Sequence, residues 1–290
     1  MGTFLTFIDL RQSRVYNTFI DSMLRGTLMN YNITADPMTD HQLQQYLNKL
    51  EYDGPVCPTY EVLSALQYAH LTHIPYENLD SLDHKVTSLN HEELFRKIVL
   101  ENRGGICFEL NGLYAWLLEK AGFTLKNHAS RYIFEDDVIQ MRRHRVMTVT
   151  IDGQRYLTDV GVNSESPRRP LRLIEGEIQS DGISEYRLEK DPFWGWLLWQ
   201  KLRGHSWHRL YGFTEEPQLD MDYVMPCVFC DLHPDSPINK FEKISIFTAD
   251  SNIRIWNGEY QIFTHGEKQV RSISPEEREI LLKRDFGIIK

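Results

Sequence analysis

Hydrophobic residues recur at intervals of three and four positions through the first part of the chain, and capping residues precede each run. Thr39 and Gln42 have the spacing of a capping box, Pro58-Thr59 opens a second run, and Asn90 precedes a third. The first apolar stripe comprises Leu43, Tyr46, Leu47 and Leu50. This periodicity predicts a compact bundle of helices over residues 37–122.

The stretch from Arg103 to Phe123 has the most regular pattern. Gly104 and Gly105 precede Cys107, and an apolar stripe follows until Gly122, which favours a helix end. The stripe comprises Leu110, Leu113, Tyr114, Leu117 and Ala121. Cys107 is therefore predicted in the first turn of a buried helix, where unpaired N–H groups and the helix dipole favour a thiolate. Such a cysteine is either a nucleophile or a small buried hydrophobe.

After Phe123 the pattern changes to the alternation that is typical of strands. Asp152-Gly153 favours a type I′ turn and predicts a hairpin. A two-residue loop at that point makes His144 and Asp159 diagonal neighbours on one face of the hairpin. An imidazole and a carboxylate so placed are either a structural pair or a base and its orienting group beside a nucleophile.

The remaining segments extend the β region and close the chain. Alternation is found near 184–190, 195–202 and 206–211, and Asn257-Gly258 predicts a second hairpin. Ser274-Pro275 opens a final helix that ends near Gly287. We therefore expect an α+β fold with helices first, antiparallel strands next and a mixed α/β tail.

Composition and cysteine count narrow the functional classes. The chain has 290 residues and a net charge of −9, which argues against a nucleic-acid partner. Four cysteines are too few for a disulfide scaffold, and the lone Cys227-x-x-Cys230 lacks a second pair. We expect this motif to pack in a strand or loop, and we expect no metal site.

Targeting signals are weak. No apolar run reaches the ~20 residues of a membrane span, so no membrane partner is expected and a cytoplasmic location is predicted. Residues 1–36 are predicted to be an extension of unknown role, and they make a poor signal peptide. The sequence leaves a homo-oligomer open.

Three motifs occur in order along the chain. They are Ile74-Pro75-Tyr76-Glu77-Asn78-Leu79, Arg103-Gly104-Gly105-Ile106-Cys107-Phe108-Glu109-Leu110-Asn111 and Tyr156-Leu157-Thr158-Asp159-Val160-Gly161. With His144 before the third motif, the segment 233–236 and the closing segment 285–288, they resemble the arylamine N-acetyltransferases. The resemblance covers about residues 38–290.

The resemblance implies a fold and an activity. The fold would be an N-terminal helical bundle (37–122), a central antiparallel β-barrel (123–212) and a C-terminal α/β lid (213–290), with a core like that of cysteine proteases and transglutaminases. Cys107 would be the nucleophile, His144 the base and Asp159 its orienting group. The activity would be transfer of acetyl from acetyl-CoA, as cosubstrate, to an arylamine, hydrazine or hydroxyarylamine. Arg103 and Glu109 would hold the cysteine helix.

Some positions depart from the family pattern. Val162 and Asn163 stand where the family usually has Phe-Gly, and Cys230-Asp231-Leu232 replaces polar residues before His233. A thiol hydrolase or an amide synthase with the same three residues is therefore the alternative. A second alternative is a protein without enzymatic activity that only binds a partner.

Coenzyme contacts are predicted from charge. Arginine suits phosphate, and the chain concentrates arginines near the predicted base and just after Asp159. They are Arg142, Arg143 and Arg145, and Arg168, Arg169 and Arg172. From these and from the C-terminal segment, the predicted coenzyme contacts are His233, Ser236, Arg168 and Arg169.

Overall fold

The computed structural model describes residues 33, 36–133, 138–264 and 267–289. Most of the predicted N-terminal extension, residues 1–36, lies outside this range. Helices dominate from Asp40 to Lys120, with one short strand among them. They are α1 (Asp40–Lys49), α2 (Tyr60–His73), α3 (Leu79–Leu82), α4 (His91–Phe95), which continues as a π-helical turn (Arg96–Leu100), and α5 (Cys107–Lys120).

Most of the predicted capping residues begin helices in the structure. The Thr39 side chain accepts a hydrogen bond from the Gln42 N–H at 3.2 Å, and the Gln42 side chain accepts one from the Thr39 N–H at 2.9 Å. The Thr59 side chain caps α2 by accepting a hydrogen bond from the Val62 N–H. The last helix, α7 (Pro275–Phe286), begins at Ser274 and ends at Gly287, which adopts a left-handed φ of 68°. Local sequence therefore sets the ends of these helices.

An eight-stranded antiparallel sheet follows α5 in the described chain and forms a nearly closed barrel. Its strands are β2 (Thr124–Tyr132), β3 (His144–Ile151), β4 (Gln154–Thr158), β5 (Leu171–Arg172), β6 (Gln179–Ser180), β7 (Ser184–Asp191), β8 (Gly195–Leu202) and β9 (His208–Phe213). The strand order is β5-β4-β3-β2-β9-β8-β7-β6. Its interior is apolar, with Val146, Leu157, Leu188, Leu198 and Tyr211 among the buried residues.

The β3–β4 hairpin has the predicted register. Asp152 and Gly153 both adopt positive φ, 48° and 79°, as a type I′ turn requires. Ile151 pairs with Gln154, and the ladder continues to Met147 opposite Thr158. Asp159 thus leaves the end of β4 beside the start of β3, where His144 lies.

A second sheet joins the helical region to the C-terminal part of the described chain. Strand β1 (Tyr76–Glu77), from the helical region, pairs with β10 (Lys243–Phe247), and β11 (Ser251–Trp256), β12 (Glu259–Thr264) and β13 (Glu267–Ser272) follow. Asn78 reinforces the junction because its side chain bonds the backbone of Ile238, Phe241 and Lys243, 160 to 165 positions away. Helix α7 covers the sheet with Leu281, Leu282 and Phe286. The pairing of β1 was not predicted.

The predicted class, α+β with helices, a barrel and an α/β C-terminal part, is confirmed. One local prediction is wrong: Cys227 and Cys230 lie in helix α6 (Val224–Leu232), which follows a 3-10 turn (Asp220–Tyr223). Both thiols are buried and free. Among the residues that the structure describes, no helix is long and apolar enough to cross a membrane.

Candidate active site

Cys107 is the first residue of α5, and two glycines allow its close packing against β1. A side chain on Gly104 would place its Cβ 2.0 Å from the Pro75 carbonyl oxygen. Gly105 forms a bridge to Tyr76, and its carbonyl accepts a hydrogen bond from the Glu77 N–H at 3.0 Å. The Cys107 side chain is buried, and its Sγ lies 3.8 Å from the Arg143 carbonyl oxygen. The loop that contains Gly104 and Gly105 thus places the Cys107 thiol next to the start of β3.

A buried network of charges holds the start of α5. Glu109 accepts a hydrogen bond from the Ile106 N–H at 2.9 Å and pairs with Lys97 at 2.7 Å. Arg103 pairs with the fully buried Glu77 at 2.7 Å. Asp80 joins both cations. Although burial raises the pKa of Asp80, Lys97 and Arg103 outweigh that effect and lower it to about 2. This arrangement supports the predicted structural role of Arg103 and Glu109.

His144 and Asp159 form a buried hydrogen-bonded pair. His144 Nε2 lies 2.7 Å from Asp159 Oδ2, and the two side chains are 0% and 1% exposed. The other carboxylate oxygen, Oδ1, accepts hydrogen bonds from Asn111 Nδ2 and the Gly161 N–H, each at 2.8 Å. Because three donors converge on Asp159, its orientation relative to the imidazole is fixed. The diagonal contact predicted from the hairpin register is confirmed.

Asn111 connects this pair to the cysteine helix, a role that the sequence reasoning missed. Besides contacting Asp159, its Nδ2 donates to the Arg145 carbonyl at 2.7 Å, and its Oδ1 accepts from the Val160 N–H at 3.0 Å. Asn111 lies four residues after Cys107, one turn further along the same helix face. The four-residue spacing from Cys107 is the sequence signal that could have identified Asn111.

Gly161 brings Asp159 and Cys107 to the same place. A Cβ built at this glycine would lie 2.7 Å from Cys107 Cα and 2.9 Å from Cys107 Cβ. Since its N–H also bonds Asp159, the backbone after β4 contacts both predicted residues. No larger residue fits this position without a shift of the backbone.

Burial of the Cys107 side chain favours the neutral thiol over the thiolate. Burial raises the pKa of Cys107 well above its ordinary value, and Cys230 and Asp159 raise it further, which outweighs the Arg145 N–H and the charge of Arg143. Burial of the sulfur therefore opposes the thiolate that the start of the helix was predicted to favour.

Two tyrosine rings enclose the imidazole and were not predicted. The Tyr132 ring lies 4.8 Å from the His144 ring between centroids, and its hydroxyl is 3.2 Å from His144 Nδ1. The Tyr211 ring contacts the imidazole at 5.2 Å. Tyr132 comes from β2 and Tyr211 from β9, two neighbouring strands of the barrel. Each ring nitrogen of His144 thus has a defined neighbour.

The predicted coenzyme residues lie in different surroundings. Arg168 is buried, and its guanidinium bonds the carbonyls of Thr248 and Ser251, while the Ser236 hydroxyl is fully buried and donates to the Cys230 carbonyl at 2.7 Å. Arg169 is exposed. His233 is half-exposed and stacks on Phe229 with centroids 4.5 Å apart. The structure therefore does not bring these four side chains together as one anion-binding cluster.

The other predicted arginines are also largely engaged. Arg145 is buried and pairs with Asp220 at 2.7 Å, whereas Arg142 is part-exposed near Glu216. Arg172 pairs with Glu177. Arg143 is buried and bonds the Gln140 side chain at 3.2 Å. Of the six arginines, Arg143, Arg145 and Arg168 are thus buried, whereas Arg142, Arg169 and Arg172 are at least partly exposed.

Comparison with known proteins gives a consistent result. A family model described as N-acetyltransferase matches residues 59–289. An arylamine N-acetyltransferase of Mycobacterium tuberculosis is 34% identical over 221 residues, which cover 74% of this chain and 76% of the relative. The chain belongs to the arylamine N-acetyltransferase family. It is accordingly an acetyltransferase, and the family predicted from the sequence motifs is confirmed.

Solved structures of the family agree with this fold. The arylamine N-acetyltransferase of Salmonella typhimurium matches with a TM-score of 0.82 and 28% identity, covering 87% of this chain and 92% of that one. That of Mycobacterium marinum in complex with CoA matches with a TM-score of 0.80 and 30% identity, covering 85% and 92%. The family match thus extends over the helices, the barrel and the C-terminal sheet.

Proposed function

We propose that the enzyme transfers acetyl from acetyl-CoA to Cys107 and then to the nitrogen or oxygen of an arylamine, hydrazine or hydroxyarylamine. The observation that carries this proposal is the buried His144–Asp159 pair, 2.7 Å apart, joined through Gly161 and Asn111 to the start of the cysteine helix. The marinum relative solved with CoA supports the choice of acyl donor. The cytoplasmic location stays a prediction.

The hydrogen bonds of Asp159 define how the proton moves. Its carboxylate accepts a hydrogen bond from the Nε2–H group of His144. The neutral imidazole therefore presents a lone pair at Nδ1. The Cys107 proton passes to His144, and the sulfur attacks the thioester carbonyl. The carbon–sulfur bond of the donor breaks, coenzyme A departs as the thiol after taking that proton, and acetyl-cysteine remains.

In the second half of the reaction, the acetyl group moves from Cys107 to the acceptor. The amine attacks the acetyl-cysteine carbonyl, its proton goes to His144, and the Cys107 sulfur leaves and regains the proton. Backbone N–H groups at the start of α5 are suited to the negative oxygen that forms in each half. Burial of the site strengthens these hydrogen bonds because competing water is excluded.

For the coenzyme phosphates, we narrow the proposal to Arg169 and His233. The side chains of Arg168 and Ser236 are used inside the protein. Arg143 is unsuited because its backbone contacts Cys107, whereas the pantetheine arm separates the thioester from the phosphates. Arg169→Ala should raise the acetyl-CoA KM and leave the amine step from preformed acetyl-enzyme unchanged. An unchanged KM would remove Arg169 from the site.

The central test is detection of the acyl-enzyme. Mixing the protein with acetyl-CoA, without an amine, should add one acetyl group that peptide mass spectrometry assigns to Cys107. Cys107→Ser should abolish transfer, while the matched changes Cys57→Ser, Cys227→Ser and Cys230→Ser should keep most of it. Double-reciprocal plots should be parallel.

Two results would contradict the proposal. Intersecting double-reciprocal lines would indicate direct transfer in a ternary complex. Continued release of coenzyme A without an amine, beyond the one equivalent that acetylation of Cys107 produces, would instead favour the thiol hydrolase.

A further inference from the structure

Arg143 is a buried cation beside Cys107 that has no carboxylate partner among the described residues. It directly precedes β3, and its backbone carbonyl oxygen lies 3.8 Å from the Cys107 Sγ. Its side chain is buried, and its guanidinium donates to the uncharged Gln140 Oε1 at 3.2 Å. A guanidinium has five N–H donors and stays charged, so this one hydrogen bond leaves most of its binding capacity unused.

Lys243 reaches the same place through the second sheet. It is the first residue of β10, and Ser245, two positions later, pairs with Tyr76 of β1. Because side chains alternate along a strand, Lys243 and Tyr76 project from the same face of the sheet. That face meets the thiols, since burial raises the pKa of Tyr76 and the nearby Cys107 and Cys230 raise it further.

The Lys243 ammonium also has no carboxylate partner in the part of the chain that the structure describes. It lies over the Trp256 ring, 5.0 Å from the ring centroid. Burial and then the charge of Arg143 lower the pKa of Lys243 to about 8, although Cys230 acts in the opposite direction. The two cations are therefore close enough to repel each other.

The neighbouring carboxylates of the described chain are already engaged by other groups. They are Glu77 with Arg103, Glu109 with Lys97, Asp159 with His144 and Glu242 with Arg278. Two cations that are withdrawn from water and held together without an anion are unfavourable. We therefore expect the missing negative charge to come from a ligand.

The position of Arg143 and Lys243 limits which anion they can bind. The pantetheine arm separates the phosphates of coenzyme A from the thioester, whereas Arg143 contacts Cys107 itself. A negative group bound here must therefore belong to the acceptor or to the acyl group, because these are the parts of the substrates that meet the thiol. A carboxylate matches the planar fork of arginine and forms charge-assisted hydrogen bonds with both cations.

We propose that Arg143 and Lys243 form a subsite for a carboxylate that a substrate carries close to its reacting group. The carboxylate belongs to the acceptor, as in an aminobenzoate, or to the far end of the acyl group, as in a dicarboxylic acyl-CoA. The two residues set specificity and take no part in making or breaking bonds. The proposal deepens the proposed function and rests on it for the position of the acyl group on Cys107.

The first test measures binding without any acyl transfer. Benzoate should slow the alkylation of Cys107 by iodoacetamide, followed by peptide mass spectrometry, at lower concentration than the neutral benzamide does. Lys243→Met keeps the aliphatic stem and removes the charge. It should weaken the benzoate effect at least about tenfold and leave the benzamide effect unchanged, because a charge-assisted hydrogen bond is lost. Arg143→Gln should do the same, and Lys243→Arg should keep the benzoate effect.

Two kinetic comparisons identify which substrate carries the carboxylate. In the first, kcat/KM with acetyl-CoA is measured for 4-aminobenzoate and for 4-aminobenzamide. In the second, the rate of acylation of Cys107 is measured with malonyl-CoA and with propionyl-CoA. The ratio of the charged to the neutral compound should fall at least about tenfold in Lys243→Met, in the first comparison for an acceptor carboxylate and in the second for an acyl carboxylate. Comparing this ratio between variant and wild type cancels the intrinsic reactivity of each compound.

Lys268→Met is the matched control. Lys268 lies over the Phe263 ring at 5.6 Å, on β13, which is separated from β1 by the other strands of the same sheet. Its loss should leave every ratio unchanged. Equal changes for charged and neutral compounds in both Lys243→Met and Arg143→Gln, in binding and in both kinetic comparisons, would overturn the proposal. Failure of acetyl transfer in a wild type that keeps the benzoate effect would count against the proposed function alone.

Discussion

Gly161 is the position where a single added methyl group should separate Cys107, the proposed nucleophile, from His144, the proposed base. In Gly161→Ala the new Cβ would lie 2.7 Å from both Cys107 Cα and Asn111 Nδ2. Carbon atoms pack best at about 3.5–4.0 Å, so the strand end and the helix must move apart by roughly 1 Å. A displacement of that size at a reacting group costs about 100-fold in rate. We therefore expect kcat/KM to fall by about two orders of magnitude.

We expect Gly161→Ala to lower the stability of the fold only modestly, so unfolding should not account for the loss of rate. Overpacking of this kind costs about 1–3 kcal/mol, which corresponds to about 2–12 °C in thermal midpoint for a domain of this size. Rate and midpoint are measured on one sample, well below the transition. Gly112→Ala is the matched control, because its Cβ meets a guanidinium end of Arg145 at 3.1 Å and no backbone. If Gly161→Ala keeps wild-type kcat/KM, the close approach plays no part in catalysis.

Three further predictions test orientation, the charge network and acid stability. Asp159→Asn should remain folded yet lose most turnover, because an amide cannot hold the same tautomer of His144; full activity at an unchanged midpoint would exclude the orienting role. Arg103→Ala should lower the unfolding free energy by about 3 kcal/mol, measured in urea, since Glu77 would be left buried and unpaired; a loss below 1 kcal/mol would contradict this. Burial lowers the pKa of His70 from 6.5 to about 3, so its contribution to stability is complete above pH 6.5 and is lost as the pH falls. At pH 5 the loss is about 2 kcal/mol, and His70→Gln should flatten the stability–pH curve; an equally steep curve would be evidence against it.

Local sequence was enough to predict the helix caps and the geometry that joins His144 to Asp159. Asp152-Gly153 permits one tight turn, and that turn determines which residues face each other along the two strands, as far as Met147 and Thr158. The prediction worked because each step involved neighbouring residues. A type I′ turn has few competing conformations, so the register followed without knowledge of the rest of the fold.

Features that depend on distant partners were missed. Arg145 was considered as one of the arginines suited to phosphate, but it is buried and pairs with Asp220, which lies on another element of the chain. The α6 segment is short and apolar, and such runs fit a strand or a helix equally well until packing decides. Tyr132 was overlooked because an aromatic at a strand end is ordinary by itself. Only its distance to His144 gives it a role.

The pairing of β1 with β10 has a consequence for synthesis of the protein. The partners of Asn78 lie 160 to 165 residues later in the chain. At about 5–20 residues per second, a ribosome needs roughly 8–30 s to reach them. Until then β1, which packs against the loop before Cys107, lacks its partner strand in the sheet. The enzyme should therefore gain activity only after β10 has been synthesised, and fragments that stop before β10 should not be rescued by a longer time to fold.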